Sequence, residues 1–541
     1  ASPRLEILPL EHFSSGAIAH LELVAPRNGQ HVAFEYQIEV LIDGQGGEDT
    51  FGTPFELYLD KLSKNQDAHL SSQSQLSTDN AIFNLVLERG VIDLACLTTF
   101  HPTGPFLEAG VPWYTSPFGR DAILTAYQTL MLGSKLAKGV LRYLAAFQGK
   151  KDDPFRDEEP GKILHERRFG ELASLREIPQ TEYYGSIDST VLFLILLSET
   201  FRWTGDLAFV RELWDAVEGA LMWIDAYGDL DGDGFVEYET RSELGLVNQA
   251  WKDSGNSVIF PDASLAETPI AMAEVQGYVY DAKRRTAELC YLMDLRILGD
   301  RLVKEAEELK AKFNQDFWCE EDGFYAEALD GKKRKVNTMT SNVGQALWSG
   351  IIDMERVPTL VQHLMAPDMF NGWGIRTLSA ASPVYNPLSY HNGTVWPHDN
   401  SLIAKGFADH GFKEEAVTLM DSLFQTALHF DYYRLPELFC GFGRSVEFSA
   451  PVPYPVACSS QSWAAGSTFL LLQSALGLVP DAANSALHVI TPMLPPWLEE
   501  VNLTNLQVGE STLDLQFMQV NGITTVRVLS KQGKLKVLIE G

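Results

Sequence analysis

Apolar and polar side chains alternate near the start of the chain. His20-Leu-Glu-Leu-Val24 and Val32-Ala-Phe-Glu-Tyr-Gln-Ile-Glu-Val-Leu-Ile42 repeat with period two, which predicts strands with one buried face. Residues 1–75 therefore read as an N-terminal β-sandwich-like domain, and the mostly polar stretch from Lys61 to Asn80 as a linker. From about residue 81 the period becomes helical and stays so to about residue 480. Val191-Leu-Phe-Leu-Ile-Leu-Leu197 is apolar all round and predicts a helix buried on every side. The next segment, Leu207 to Tyr227, places Leu213, Trp214, Val217, Leu221 and Ile224 on one stripe with charges between, and Asp206 is its expected N-cap. A buried helix followed by an amphipathic one recurs at 121–148, 268–317, 340–366, 397–430 and 459–477. Such pairing predicts a mainly α fold over 76–480, an inner ring of helices wrapped by an outer ring; a stacked solenoid is the other arrangement, but no fixed repeat period is present. Strand signals return in Ser511–Phe517, Thr524–Leu529 and Lys536–Ile539, so 481–541 reads as a small β-cap.

Charge narrows the partners. The chain has 541 residues with 72 acidic and 42 basic side chains, a net charge of −30, which repels nucleic-acid backbones and anionic lipid but not a neutral sugar. No apolar run approaches membrane-spanning length, and Ala-Ser-Pro-Arg-Leu-Glu at the start lacks a leader pattern. The five cysteines (Cys96, Cys290, Cys319, Cys440, Cys458) are scattered without CxxC spacing, which fits reduced thiols, a cytoplasmic location and no zinc site.

Candidate chemistry lies where helices begin or end, in loops rich in Trp, Tyr, Gly and Pro. Two carboxylates stand out there: Asp253 in Trp251-Lys252-Asp253-Ser254-Gly255, and Glu437 in Arg434-Leu-Pro436-Glu437-Leu438. Two separated acids among aromatic rings are what cleavage of a glycosidic bond requires, one to donate a proton and one to activate water. Either acid alone has a blander reading, an ion pair for Asp253 and a helix-start charge for Glu437. Around them, Trp113, Tyr114 and Phe118 precede Arg120-Asp121; aromatic faces stack on sugar rings, and the guanidinium–carboxylate pair grips hydroxyls, although Asp121 also suits a helix cap. Tyr184 and Asp188 open the all-apolar helix, Glu274, Gln276 and Tyr278 share a helix start, and Tyr390-His391-Asn-Gly-Thr-Val-Trp396-Pro-His398-Asp399 and Gln461-Ser-Trp463 complete the set. A metal hydrolase reading of His391, His398 and Asp399 lacks a third separated ligand group, and no GxSxG elbow is present. Asp229-Leu-Asp231-Gly-Asp233-Gly-Phe-Val-Glu237 has the early spacing of a calcium loop, with Thr240 where the bidentate Glu belongs; it reads as a structural Ca²⁺ loop or as an acidic turn.

Together these segments resemble the amylo-α-1,6-glucosidase family, the glucosidase domain of glycogen debranching enzymes, and more loosely the glucoamylase-like clan. The residues that carry the resemblance are Trp113 to Asp121, Trp251-Lys-Asp-Ser254, Ala273-Glu-Val-Gln-Gly-Tyr278, Thr394-Val-Trp-Pro-His-Asp399, Leu435-Pro-Glu-Leu438 and Ser460-Gln-Ser-Trp463. The resemblance implies an (α/α)6 barrel, an inverting mechanism, Asp253 as general acid and Glu437 as general base, with Arg120, Asp121, Trp396, His398 and Asp399 around the first sugar. It implies no required cofactor. Asp253 is then expected to have its pKa raised by apolar neighbours while Glu437 stays ionised. Gly255-Asn256 and Thr268 depart from the family's pattern beside the acid, which places a small α-glucoside or disaccharide (sucrose, glucosylglycerol or isomaltose type) beside a limit dextrin as substrate. A disaccharide phosphorylase and a non-catalytic carbohydrate-binding protein are the competing readings.

Overall fold

A computed structural model describes residues 4–9, 17–22 and 73–541. The chain divides into two compact units, 1–72 and 73–541. In the first, Arg4–Pro9 pairs antiparallel with Ala17–Glu22, Arg4 opposite Glu22. The expected strand over 32–42 lies outside the described residues.

In the second unit, helices with two kinds of burial alternate. The buried kind comprises α2 (Gly119–Gln128), α4 (Ser189–Thr204), α6 (Ala273–Leu292), α8 (Asn342–Ser349), α10 (Pro397–Asp409) and α12 (Ser462–Leu476). Every residue of α2, α8 and α12 is buried. Each packs against the next in this order, and α12 packs back on α2, so the six close a ring. Behind them lie α1 (Ala81–Leu97), α3 (Lys135–Ala146), α5 (Trp214–Trp223), α7 (Arg296–Asp316), α9 (Val357–Leu364) and α11 (Lys413–Ala427). The outer helices bury a single stripe: α7 turns Gly299, Leu302, Ala306, Leu309 and Phe313 onto α6, alternating steps of three and four as a 3.6-residue period requires. The last inner helix has no outer partner after it in sequence. That place is taken by α1, from the other end of the helical region, packed on α12.

Asp206 caps the helix after it by accepting from the Phe209 N–H at 3.0 Å, as expected. The expectation of one continuous helix to Tyr227 is corrected: Leu207–Glu212 is a short helix of its own, α5 follows, and Ile224–Gly228 is π-helical. Two further corrections concern strands. Gln75–Thr78, inside the stretch read as linker, is a strand paired with Glu500–Val508, and Thr98–His101, Gly104–Gly110 and Tyr114–Pro117 form an antiparallel meander between α1 and α2.

The C-terminal strands form a four-stranded antiparallel sheet in the order Ile523–Gln532, Ser511–Val520, Glu500–Val508, Gln75–Thr78. Along Ser511–Val520 the buried residues include Leu513, Leu515 and Phe517, the period-two alternation read from the sequence. Among the described residues no helix is long and apolar enough to cross a membrane.

Candidate active site

The starts of the inner helices meet at one end of the ring. Arg120 and Asp121 lie in the first turn of α2, Asp188 just before α4, Glu274 in the first turn of α6, Ser341-Asn342 at α8, His398-Asp399 at α10 and Gln461-Ser462-Trp463 at α12. Their side chains meet those of the neighbouring helix in the ring. The Asp121 carboxylate accepts from Gln461 Nε2 at 3.4 Å, and Asp399 Oδ1 accepts from Gln345 Nε2 at 2.6 Å. His398 stacks on Trp463 with ring centroids 3.8 Å apart, and Glu274 faces Asn342. Helix N-termini carry partial positive charge from unpaired N–H groups, so carboxylates gathered there are in a favourable field.

A cavity of about 200 Å³ opens at this end, lined by Tyr114, Phe118, Arg120, Asp121, Trp251, Asp253, Trp396, Glu437, Gln461 and Trp463 from the expected set. Asp253 and Glu437, from loops far apart in sequence, face this same space. Arg120 is buried and holds one side of it: Nη1 donates to both carboxylate oxygens of Asp188 at 2.9 and 3.1 Å, and Nη2 to Asp253 Oδ2 at 2.9 Å. Asp188 stands at the N-cap of α4 but caps nothing, because its carboxylate is spent on Arg120 and on the Ser186 hydroxyl at 2.6 Å. Asp121 is likewise no cap; it lies within the first turn, and Phe118 holds the cap position.

The electrostatics separate Asp253, Asp121 and Glu437. Burial raises Asp253 to about 6, against the pull of Arg120; the 28 % of its side chain that stays exposed faces the cavity. Burial raises Asp121 to about 7, with Asp253 and Glu437 adding to the rise and Arg120 opposing it. Burial also raises Glu437, expected to stay ionised; hydrogen bonds from the Tyr390 hydroxyl to Oε1 and from the Cys458 N–H to Oε2 (2.8 Å) pull it back toward the ionised form.

Several expected residues are not brought to the cavity. Trp113 is 61 % exposed, and the Tyr184 hydroxyl donates to the Phe147 carbonyl at 2.8 Å. Lys252 points away from its neighbour Asp253, fully buried, onto Glu327 Oε1 at 3.3 Å and the Thr377 carbonyl at 2.9 Å. Gln276 is spent on the backbone N–H of Val236 (2.9 Å) and its carbonyl (2.7 Å), and Tyr278 donates to Gln345. Glu274, His398 and Asp399 are fully buried beneath the cavity; burial raises Glu274 to about 8 and holds His398 neutral. The lining also includes Tyr390 and His391, from a segment the sequence marked without giving these two a role, and His165, Glu166, Arg168 and Leu246, which sequence reading did not assign. Only the charged run His165-Glu-Arg-Arg168, set between apolar Ile163-Leu164 and Phe169, signals His165, Glu166 and Arg168.

The acidic loop lies elsewhere. Asp229, Asp231 and Glu237 are close enough for one metal ion, but other groups already serve them. Lys333 Nζ reaches Asp231 and Asp233, each at 2.8 Å, and also Glu237. Asp229 accepts the N–H groups of Gly232, Asp233 and Gly234 at 2.7–3.0 Å. These oxygens fit a cation poorly, because a Ca²⁺ ion would have to displace the lysine.

Residues 118–434 match the sequence profile of the mannosylglycerate hydrolase MGH1-like glycoside hydrolase domain. The chain belongs to this family. The match supports the coarser part of the resemblance, a glycoside hydrolase domain; it spans α2 to α11, includes Asp253 and ends just before Glu437. No curated protein matches the chain at a significant level. Among solved structures, the fold is similar to that of the GH78 family rhamnosidase of Bacillus sp. GL1 (TM-score 0.61, 14 % identity, 86 % of this chain and 42 % of that one). It is similar too to the GH63 mannosylglycerate hydrolase of Thermus thermophilus, solved with Tris and D-glycerate (TM-score 0.53, 15 % identity, 71 % of this chain and 99 % of that one). The α-L-rhamnosidase of Dictyoglumus thermophilum follows (TM-score 0.55, 10 % identity, 84 % and 44 %). The MGH1-like chain thus spans about two fifths of the rhamnosidases' length and is matched over nearly the whole of the Thermus enzyme.

Proposed function

We propose that this glycoside hydrolase domain is an inverting, exo-acting enzyme for small α-glycosides, with Asp253 as general acid and Glu437 as general base. The observation that carries the proposal is the single cavity that both carboxylates face: burial raises both, Asp253 to about 6, and Glu437 has two hydrogen-bond donors, from Tyr390 and the Cys458 N–H, that favour its charge. The cycle of six buried helices backed by six outer ones supports reading the scaffold as an (α/α)6 barrel, followed by a β region over 481–541.

The substrate reading is an α-glucoside. The similar Thermus enzyme is a mannosylglycerate hydrolase, so an α-mannoside of a short acid stands beside it. A cavity of about 200 Å³ falls below the usual range for sites enclosing larger ligands, which favours one sugar with a short aglycone over a dextrin branch. Hydrolysis is favoured over phosphorolysis because both lining arginines are paired, Arg120 with two aspartates and Arg168 with Glu166. A cytoplasmic setting is supported by five unpaired thiols.

The test is a panel of sucrose, isomaltose, glucosylglycerol, glucosylglycerate and mannosylglycerate, with the released anomer followed by NMR. Release of the β-anomer first is expected, independent of phosphate. Asp253→Asn and Glu437→Gln should each lower kcat by at least about 10³-fold with the fold intact. An α-anomer as first product, or near-full activity in either variant, overturns the assignment.

A further inference from the structure

The segment Tyr390 to Trp396 touches both candidate loops. Toward the base, the Tyr390 hydroxyl donates to Glu437 Oε1, and Val395 exchanges backbone hydrogen bonds with Phe439, N–H to O at 2.9 and 3.0 Å. Toward the acid, His391 Nδ1 lies 3.2 Å from the Ser254 N–H and 2.6 Å from Ser254 Oγ, and Asn392 Nδ2 donates to the Asn256 carbonyl at 2.8 Å. Ser254 is the residue after Asp253. One dipeptide therefore holds both carboxylate-bearing loops.

The polarity of the His391 contact follows from its partner. A backbone N–H only donates, so Nδ1 must be the unprotonated nitrogen, and a neutral ring then carries its proton on Nε2. Burial, with Lys252 and Arg120 adding positive charge nearby, keeps His391 neutral. The ring is fixed by packing, parallel to Trp396 at 5.3 Å and edge-on to Trp251 at 5.7 Å. The Tyr390 carbonyl is fixed as well, accepting from Trp396 Nε1 at 3.1 Å and Thr394 Oγ1 at 2.6 Å. Burial and the charge of Glu437 keep the Tyr390 hydroxyl protonated, so it remains a donor.

We propose that Tyr390-His391 is a rigid spacer that sets the separation and aim of the two carboxylates, Tyr390 by fixing Glu437 and His391 by fixing the loop of Asp253. Inverting hydrolysis needs a fixed gap for one water between acid and base, and packed secondary hydrogen bonds are the means of holding such a gap. Both are positioning residues. The inference rests on Asp253 as acid and Glu437 as base. It was not legible from the segment itself, which reads as a cluster of ring-bearing residues at a helix start.

The test uses the whole chain and the best substrate from the panel. The groups facing Glu437 are Tyr390, Tyr114, Tyr454, Cys458, Asp121 and Asp253; of these, Tyr390 and Cys458 donate to it. Tyr390→Phe removes one donor to the carboxylate, so the acidic limb of the kcat/KM–pH profile should move up by about one unit. His391→Leu should lower kcat by about 10²-fold with KM changed less than about threefold. His391→Asn, which returns an acceptor at the Nδ1 position, should recover most of that loss. If His391→Leu also lowers the melting temperature, Ser254→Ala removes the 2.6 Å contact from the other side and should again cost kcat more than KM. An unmoved acidic limb in Tyr390→Phe, or equal losses in His391→Leu and His391→Asn, overturns the spacer. Active Asp253→Asn or Glu437→Gln measured alongside overturns the acid–base reading, and the spacer with it; inactive ones confine a failure to the spacer.

Discussion

Two clusters of carboxylates differ in how they are neutralised. In the loop Asp229–Glu237, a lysine ammonium reaches three acidic residues and backbone N–H groups serve Asp229, so Asp233 is held below the ordinary carboxylate range by Lys333 and the Phe235 N–H against the cost of burial. In the cavity, Asp253 shares the Arg120 guanidinium with Asp188, and Asp121 feels that charge without pairing to it. Burial then prevails, and Asp121 and Asp253 rise to about 7 and about 6. Within the loop, counter-charge lowers an acid only where burial is incomplete: Asp233 is lowered by Lys333, whereas the fully buried side chain of Glu237 on the same lysine is raised. Sequence density does not distinguish the two clusters, because the loop is the richer in Asp.

The sharpest way to break this contrast is to remove the shared cation. Arg120→Leu leaves Asp188 buried without its partner, so a stability loss of about 3–5 kcal/mol is expected from denaturant unfolding, with kcat/KM reduced by at least about 10²-fold as Asp253 loses its hold. Unchanged unfolding would mean that the guanidinium is not what restrains the cavity acids.

The pH dependence of activity comes next. With Asp253 required protonated, kcat/KM should fall as pH rises through about 6. The fall should persist in Asp121→Asn if Asp253 is the donor and vanish if Asp121 is. Stability carries the same sign. A carboxyl whose folded pKa is raised stabilises fully below its unfolded value, and that contribution is lost as pH rises through the folded one. For Asp121 the window runs from about 4 to about 7. Asp121→Asn should therefore gain more in melting temperature at pH 8 than at pH 4; an equal gain at both contradicts the raised value.

In the acidic loop, Lys333→Met strands Glu237, whose side chain is fully buried, at an expected cost of about 1–3 kcal/mol. Its melting temperature should then rise with millimolar Ca²⁺, while that of the parent chain should not; a parent chain stabilised by Ca²⁺ would show that the metal displaces the lysine. The smallest effect is expected outside the cavity: Trp113→Ala, at a residue 61 % exposed, should change kcat less than about threefold in the glycoside panel.

Much of the scaffold was legible in the pattern. The inner helices begin within a few residues of the positions read from apolar runs, because a helix buried on every side has no polar stripe and one buried on one face has a clear one. The exceptions have physical causes. Gln75–Thr78 is too short and polar to announce a strand and forms one because Glu500–Val508 offers an edge. The outer place beside α12 could not be assigned by following the chain, since ring closure recruits α1 from the far end. In the site, aromatic and acidic residue types in helix-start loops marked the right segments, but not which side chains turn inward. Lys252 and Asp253 are neighbours that part company, one onto Glu327 and the other into the cavity.

The sequence by itself determined the alternation of helices, the C-terminal strands and the loops that hold chemistry, because period and residue type are local properties of the chain. Only the tertiary structure decided which acids share a cavity, that Arg120 is divided between Asp188 and Asp253, that Lys333 fills the acidic loop, and that Tyr390-His391 joins the loops of Asp253 and Glu437. Those are contacts between distant segments. Their energies depend on burial and on the distance to a counter-charge, and neither is a property of any stretch of sequence.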